Sequence, residues 1–323
     1  MPSDAELLIL SGPQVEPLLQ PADVLAAVRE AFILHSERKG RVFPLVRERL
    51  DTGGVFGIKS GDVQAQALLG FKAAGFWPAN RGLGGEPHQA TVMLFDPATG
   101  RPTCLIDGNA ITTTRTGAAG ALGLRELARP DSASLCIFGT GVQARIQLTL
   151  ALALLPAIRQ VRYLTSRGTP DAGFEAAFAK QGTVQHAIDA NAAVTDSDIV
   201  ITATPGRSAL FAADAVRPGT HINAVGTDTI GKRELPEGLL DRARVFTDDR
   251  EQCRTIGEGQ WYDGFDVTEI GDLLTGRVQF ARRTEDVTVF DMTGIALQDL
   301  TVARMLLQRA GEGGYGTRMH WPW

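Results

Sequence analysis

The sequence predicts an α/β protein in two parts, a mostly antiparallel β region followed by a doubly wound parallel unit. Three observations carry that prediction. Residues 41–107 show the period of strands, with turn signals and no helix-length connections between the segments. From Ser134 onward, short apolar runs alternate with helical patterns, as in a parallel sheet covered by helices. At the head of that alternation stands Leu135-Cys136-Ile137-Phe138-Gly139-Thr140-Gly141-Val142-Gln143-Ala144, an apolar run that stops at a glycine turn and opens a helical pattern.

Residues 21–39 read as the first helix. Leu25, Val28 and Phe32 recur at helical spacing, Pro21 suits the first turn and Gly40 the stop. Strand segments follow at 42–50, 54–58, 67–76, 90–95 and 103–106, with turns at 51–54 and 96–100. A helix rich in small residues begins near Ile111 and runs to Ala128, before Pro130. Its small side chains admit close packing by another helix or by a flat cofactor, and the sequence does not choose. Parallel strands are expected at 160–165, 183–187, 198–204, 220–225, 243–247 and 287–291, with helices at 172–180 and 189–194. A last helix over 296–308 returns to the first part or packs on its interface.

Composition sets the outer bounds. With 323 residues the chain is long enough for two domains with sizeable cores. At 44% hydrophobic and 21% charged residues it reads as globular. A net charge of -5 gives no electrostatic reason to expect nucleic acid or an anionic membrane as partner. No apolar run approaches membrane-spanning length. Cys104, Cys136 and Cys253 form no CxxC, and the first two lie in apolar runs, which favours core thiols in a reducing compartment. The five histidines show no metal-ligand spacing. Acids at Asp4 and Glu6, without a basic leading segment, argue against a secretory signal. A cytoplasmic protein is expected.

Strand, glycine turn and helix N-terminus in that order are what a dinucleotide pyrophosphate needs. Gly139 allows the tight turn, Gly141 lets the backbone approach the phosphates, and Ala144 stands where a third small residue permits close helix packing. The free N–H groups and the positive end of the helix dipole face the anion. A fold selecting NAD usually places Asp or Glu at the end of the next strand. Here the chain reads Tyr163-Leu164-Thr165-Ser166-Arg167. Arg167 can pair with a 2′-phosphate and Ser166 can donate to it, so NADP(H) is expected over NAD(H).

Four cations stand out in the first region. Arg47 and Arg49 share one face of a strand segment, Arg115 follows a run of small residues, and Lys72 interrupts an apolar strand. A lone Lys or Arg is usually a solvated surface cation. Lys72 is the exception, because Leu68-Leu69-Gly70-Phe71 before it and Ala73-Ala74-Gly75-Phe76 after it leave no polar face. Such a lysine is paired or functional.

Together these residues resemble the ornithine cyclodeaminase/μ-crystallin family. The likeness runs through Gly70-Phe71-Lys72, Pro78-Ala79-Asn80, residues 96–100, Asp107-Gly108, Ile111-Thr112 and Arg115-Thr116-Gly117-Ala118. It continues through the glycine turn, Gly226-Thr227-Asp228, Gly231-Lys232-Arg233-Glu234-Leu235 and residues 290–299, so it covers nearly the whole chain in order. The resemblance implies a Rossmann domain over 116–294, a doubly wound parallel sheet, inserted into an α+β substrate and dimerisation domain of residues 1–115 plus 295–323. It implies a homodimer joined through the latter. It also implies that Arg115 and Arg47 clamp a substrate carboxylate and that Lys72 lies near the amine or imine carbon. Asp228 would be the general acid/base carboxylate. Thr116, the 139–144 turn, Ser166, Arg167, Thr204, Val225, Thr293 and Gly294 would hold the cofactor.

One departure bears on the reaction. Ornithine-specific members place an acidic residue just before a Met-Pro pair, where it meets the distal amine of ornithine. The corresponding segment here, Phe56-Gly57-Ile58-Lys59, has no acid and carries a lysine, which would repel a second ammonium. The expectation is therefore NAD(P)H-dependent hydride transfer at the α-carbon of a small imino or amino acid, by a ketimine reductase or an alanine-dehydrogenase-like enzyme. The alternatives are ornithine cyclodeamination and a non-catalytic, NADPH-dependent ligand-binding protein.

Overall fold

A computed structural model describes residues 5–264 and 266–322; Asp4, one of the N-terminal acids, lies outside them. The chain forms two compact units, one of Met1–Arg115 with Ile295–Trp323 and one of Thr116–Gly294. The first holds β1 (Ala5–Leu10), α1 (Gly12–Val15), α2 (Pro21–Ser36), β2 (Arg41–Val42), β3 (Val46–Arg49), β4 (Val55–Val63), β5 (Leu68–Phe76), β6 (His88–Phe95) and β7 (Pro102–Asp107). α3 (Gly108–Leu127) carries the chain across the division. The second holds β8 (Ser134–Phe138), α4 (Val142–Leu154), β9 (Gln160–Leu164), α5 (Ala172–Phe178), β10 (Thr183–His186), α6 (Ala190–Thr195), β11 (Ile199–Thr202) and β12 (His221–Ala224). It ends with β13 (Arg244–Thr247), α7 (Arg250–Ile256), β14 (Val267–Glu269), α8 (Ile270–Leu274) and β15 (Thr288–Asp291). α9 (Ala296–Gly313) and β16 (Thr317–Trp321) belong to the first unit.

In the first unit the sheet order is β16-β1-β7-β6-β5-β4-β2, with β3 also on β4. Every pair is antiparallel except β1 with β7. α9 packs against α2 and over β4, β5 and β6, and buries every residue from Ala296 to Ala303. A Cβ on Gly70 would come within 2.9 Å of Leu300, so glycine there admits the helix. The expected strand at 42–50 breaks into β2 and β3 around Pro44, which has no N–H to give a ladder. β4 runs on to Val63, past the expected end at residue 58. α2 stops at Ser36, because Arg38 turns the chain with φ +57 before Gly40 is reached.

In the second unit every pairing is parallel, in the order β10-β9-β8-β11-β12-β15-β13-β14. Its first five strands run 3-2-1-4-5, the doubly wound arrangement, and the order reverses between β8 and β11. The glycine turn leaves β8 at that reversal, where open α/β sheets bind their ligands. The small residues of α3 serve protein packing over this stretch. A Cβ would lie 2.5 Å from Ile146 at Gly117, 1.9 Å from Gln147 at Gly120 and 2.4 Å from Phe290 at Gly123. β1, β16, β14, α7 and α8 are elements the sequence pattern did not announce. Among the described residues no helix is long and apolar enough to cross a membrane.

Candidate active site

In the first unit, β5 carries Lys72 on the face covered by α9, as Gly70 two residues earlier shows by its approach to Leu300. Lys72 is only 4% exposed, and its Nζ donates to Asp299 Oδ1 at 2.8 Å. Arg115, from α3, brings its Nε to 3.3 Å from the same oxygen, and its Nη1 donates to Gln298 Oε1 at 3.2 Å. Gln298 is itself fixed, because its Oε1 also accepts from Ile295 N–H at 3.0 Å at the start of α9. One carboxylate thus bridges two buried cations. Asp299 Oδ2 is buried without a hydrogen-bond partner among the described residues.

Burial pushes the Lys72 ammonium down to about 7, Arg115 pushes the same way, and Asp299 opposes both. Burial alone would raise Asp299, but the charges of Lys72 and Arg115 outweigh it and hold that carboxyl below its ordinary value. Arg47 is half-buried on β3, paired with Gly57 on β4, and a Cβ on Gly57 would meet its Cδ at 3.3 Å. Arg49 lies farther out, opposite Val55, and is exposed.

In the second unit, Gly139 has φ +101, and a Cβ there would lie 2.7 Å from Ala203 O, so only glycine makes this turn unstrained. Gly141 is the N-cap of α4, and a Cβ on it would meet nothing within 4 Å. No side chain caps α4, whereas Asp171, Asp189 and Asp249 cap α5, α6 and α7. A bare helix N-terminus under open space fits a dinucleotide pyrophosphate. Arg145 steadies the turn by donating to Thr140 O at 3.0 Å. Thr116 is tied to α4, its carbonyl accepting from Gln147 Nε2 at 2.8 Å. Beyond β9, Ser166 and Arg167 are both exposed, while the next acid, Asp171, accepts from Phe174 N–H at 2.9 Å as the α5 cap.

Two buried carboxylates knit the remaining loops together. Glu234 accepts from Thr204 N–H and Oγ1, both at 2.7 Å, and from Gly226 N–H at 2.9 Å, next to Val225. Burial raises the Glu234 carboxyl despite these donors. Asp248 accepts from Thr293 Oγ1 at 2.8 Å and from the Gly294 N–H. Asp228 is half-buried, with Lys232 Nζ at 2.7 Å and Thr229 Oγ1 at 3.1 Å from its Oδ1.

Sequence reasoning assigns no role to Asp299, Gln298 or Asp248. An acid in the first turn of a helix reads as an ordinary partner of the helix dipole, which conceals Asp299. The available signal was that Leu297, Leu300 and Val302 stand close around it in the first turns of the helix.

Fold and site define an α/β protein that combines a dinucleotide-type parallel sheet with a buried, carboxylate-bridged cation cluster. The chain belongs to the ornithine cyclodeaminase/mu-crystallin family, whose model matches residues 6–314. It is 33% identical to the iminosuccinate reductase of Paracoccus denitrificans, over 95% of this chain and 98% of that protein. It is 30% identical to the alanine dehydrogenase of Archaeoglobus fulgidus, over 97% and 98%. The crystal structure of the Paracoccus denitrificans iminosuccinate reductase in complex with NAD+ superposes with a TM-score of 0.89 at 31% identity, covering 98% of this chain and 100% of that one. The Thermococcus litoralis Delta(1)-pyrroline-2-carboxylate reductase in complex with NADH and L-proline gives 0.85 at 27% identity, covering 96% and 99%.

Proposed function

We propose that the protein is an NAD(P)H-dependent oxidoreductase that transfers hydride at the α-carbon of an imino or amino acid, with reduction of the imine favoured. The observation that carries this reading is the buried Lys72–Asp299–Arg115 cluster. Arg115 offers a planar fork to a carboxylate, and Arg47, on the sheet that carries Lys72, offers a second. Held by those forks, the substrate presents its α-carbon in one orientation, and orientation accounts for much of the rate in such reactions. Lys72, beside the imine, stabilises the charge that changes there. Asp228 gives a proton to the nitrogen, and Lys232 at 2.7 Å fixes its position. The bound nicotinamide supplies the hydride.

The cofactor sits on the bare N-terminus of α4, and the Thr204, Val225, Thr293 and Gly294 loops held by Glu234 and Asp248 complete its site. NADPH is favoured over NADH, since Arg167 and Ser166 are exposed beyond β9 and Asp171 is engaged as a cap. The enzyme is a homodimer joined through the first unit, whose outer sheet face carries half-buried Leu69, Phe71, Met93 and Phe95. Its three buried thiols suit the cytoplasm.

Lys59 on the segment that carries the ornithine-specific acid in relatives places ornithine cyclodeamination second. Oxidation of NADPH and NADH is measured with Δ1-pyrroline-2-carboxylate, Δ1-piperideine-2-carboxylate, and pyruvate or oxaloacetate in ammonium. Ammonia release from ornithine is measured beside it. Turnover of at least one imine is expected. Ammonia from ornithine with no imine turned over would overturn the reading.

A further inference from the structure

We propose that the 3-10 turn Glu258–Trp261 braces the loop that carries Asp228, with Gln260 as the positioning residue that sets where that carboxylate stands. The inference rests on the reading of Asp228 as proton donor. Residues 228–233 form neither helix nor strand, and none of them is buried. Ile230, the apolar side chain of this loop, is 71% exposed. Apolar packing therefore does not fix the loop, and polar anchors have to.

Those anchors come from one turn. Glu258 is buried, and its Oε1 accepts from Thr227 Oγ1 at 2.5 Å and from Glu234 N–H at 2.7 Å. A single carboxylate oxygen thus ties the residue before the loop to the residue after it. Gln260 holds the middle: its Oε1 accepts from Gly231 N–H at 2.8 Å, and its Nε2 donates to Lys232 O at 3.2 Å. Trp261 Nε1 donates to the same carbonyl at 2.8 Å, and the Arg233 guanidinium lies over the indole, 5.5 Å from the ring centre. Lys232, held through its backbone, passes the constraint to Asp228 through its side chain. Its Nζ donates to Gly226 O at 3.1 Å and to Asp228 Oδ1 at 2.7 Å.

The brace is itself seated. Gln260 Nε2 also donates to Gly257 O at 2.8 Å, and Gly259 N–H donates to Asp291 Oδ2 at 3.3 Å, at the end of β15. A Cβ on Gly257 would strike that same oxygen, and one on Gly259 would lie 2.5 Å from Cys253 Sγ on α7. Glycine at both positions lets the turn sit down on β15 and α7. Burial pushes the Glu258 carboxyl up to about 7 against its donors, so the fold keeps it there at a cost in stability. A proton donor must stand within hydrogen-bond reach of the atom it serves, and a misplacement of about 1 Å can cost about a hundredfold in rate. Without the Gln260 side chain, Lys232 and Asp228 keep their charges, but the middle of their loop loses its bonds at Gly231 N–H and one of those at Lys232 O.

The test uses the imino acid of the panel above that the wild-type protein reduces fastest. Gln260→Ala should lower kcat roughly 10- to 100-fold, while KM for the imino acid and Kd for the cofactor stay within about twofold. The solvent deuterium isotope effect on kcat should rise, because the loosened step is proton delivery. Asp228→Asn with Gln260→Ala should be no slower than Asp228→Asn alone, since Gln260 acts through that carboxylate. Trp261→Phe loses only the Nε1 donor and should show the same pattern more weakly; it carries the comparison if Gln260→Ala does not fold. A wild-type kcat in these variants, or losses that add in the double variant, overturn the proposal. Wild-type turnover by Asp228→Asn removes Asp228 from the chemistry and overturns the positioning role with it. If no imino acid is reduced, the reaction assigned above is wrong, and amide hydrogen exchange decides the brace alone. Gln260→Ala should then speed exchange across residues 227–234 at least about tenfold and leave β12 unchanged, and equal protection overturns the proposal.

Discussion

Replacing Asp299 with Asn removes the carboxylate that lies within ion-pair distance of both Lys72 and Arg115, at 2.8 and 3.3 Å, and keeps the side-chain shape. Losing one charge-assisted hydrogen bond costs about 1.5–3 kcal/mol, which at 1.36 kcal/mol per pH unit is about one to two units in the Lys72 titration. An ammonium already depressed to about 7 should then titrate near pH 5–6. Lys72 keeps its proton up to a pH near 10.5 when unfolded but only to about 7 when folded, so stability from this group rises with pH across that window. Below it the folded protein carries the full penalty of a buried ammonium. In the Asp299→Asn protein that penalty is no longer offset. The melting-temperature loss should therefore be larger at pH 5.5, where Lys72 is charged, than at pH 8, where it is largely neutral. The upper bound is the roughly 3–5 kcal/mol that breaking a buried pair costs. Two measurements check this: melting of both proteins at the two pH values, and the pH profile of kcat/KM, whose ionisation near 7 should move down. Equal melting losses together with a superimposable profile would refute the idea that Asp299 sets the charge of Lys72.

Arg115→Lys keeps the charge but loses the planar fork and its bond to Gln298, so KM for the imino acid should rise about tenfold or more, read by steady-state kinetics at fixed cofactor. Arg167→Ala should abolish any preference for NADPH over NADH, measured by fluorescence titration of both; an unchanged ratio removes the arginine from cofactor selection. Gly139→Ala and Gly141→Ala separate two uses of glycine. The first forces a Cβ to 2.7 Å from Ala203 O at φ +101 and should lower the melting temperature. The second enters open space at φ -74, so melting should hold while cofactor affinity falls.

The parallel sheet was legible because its signals are local. After Ser134, β8 is an unbroken apolar run, Gly139 marks the turn by its positive φ, and each later strand but β14 announces itself within a few residues. The elements that escaped have too little pattern to read. β14 has three residues and α8 has five, less than two turns of helix. β1 and β16 pair with each other across almost the whole chain, Ala5 with Trp321, and nothing near either end predicts that partner. The small residues of α3 were readable as close packing, but what packs there, Ile146, Gln147 and Phe290, depends on tertiary structure.

The same division between local signal and distant partner governs the site. Lys72 declared itself by standing in an apolar strand, because a buried ammonium needs a counter-charge. The carboxylate that supplies it is 227 positions away and looks, in its own helix, like a routine first-turn acid. A broken local rule is visible in a sequence; its compensation across the fold is not. Lys59 stands in the same relation one strand over. Its place opposite Lys72 follows only from the β4–β5 register, which sets Gly61 on Gly70 so that α9 can approach. That close helix contact and the facing lysines are consequences of one strand alignment.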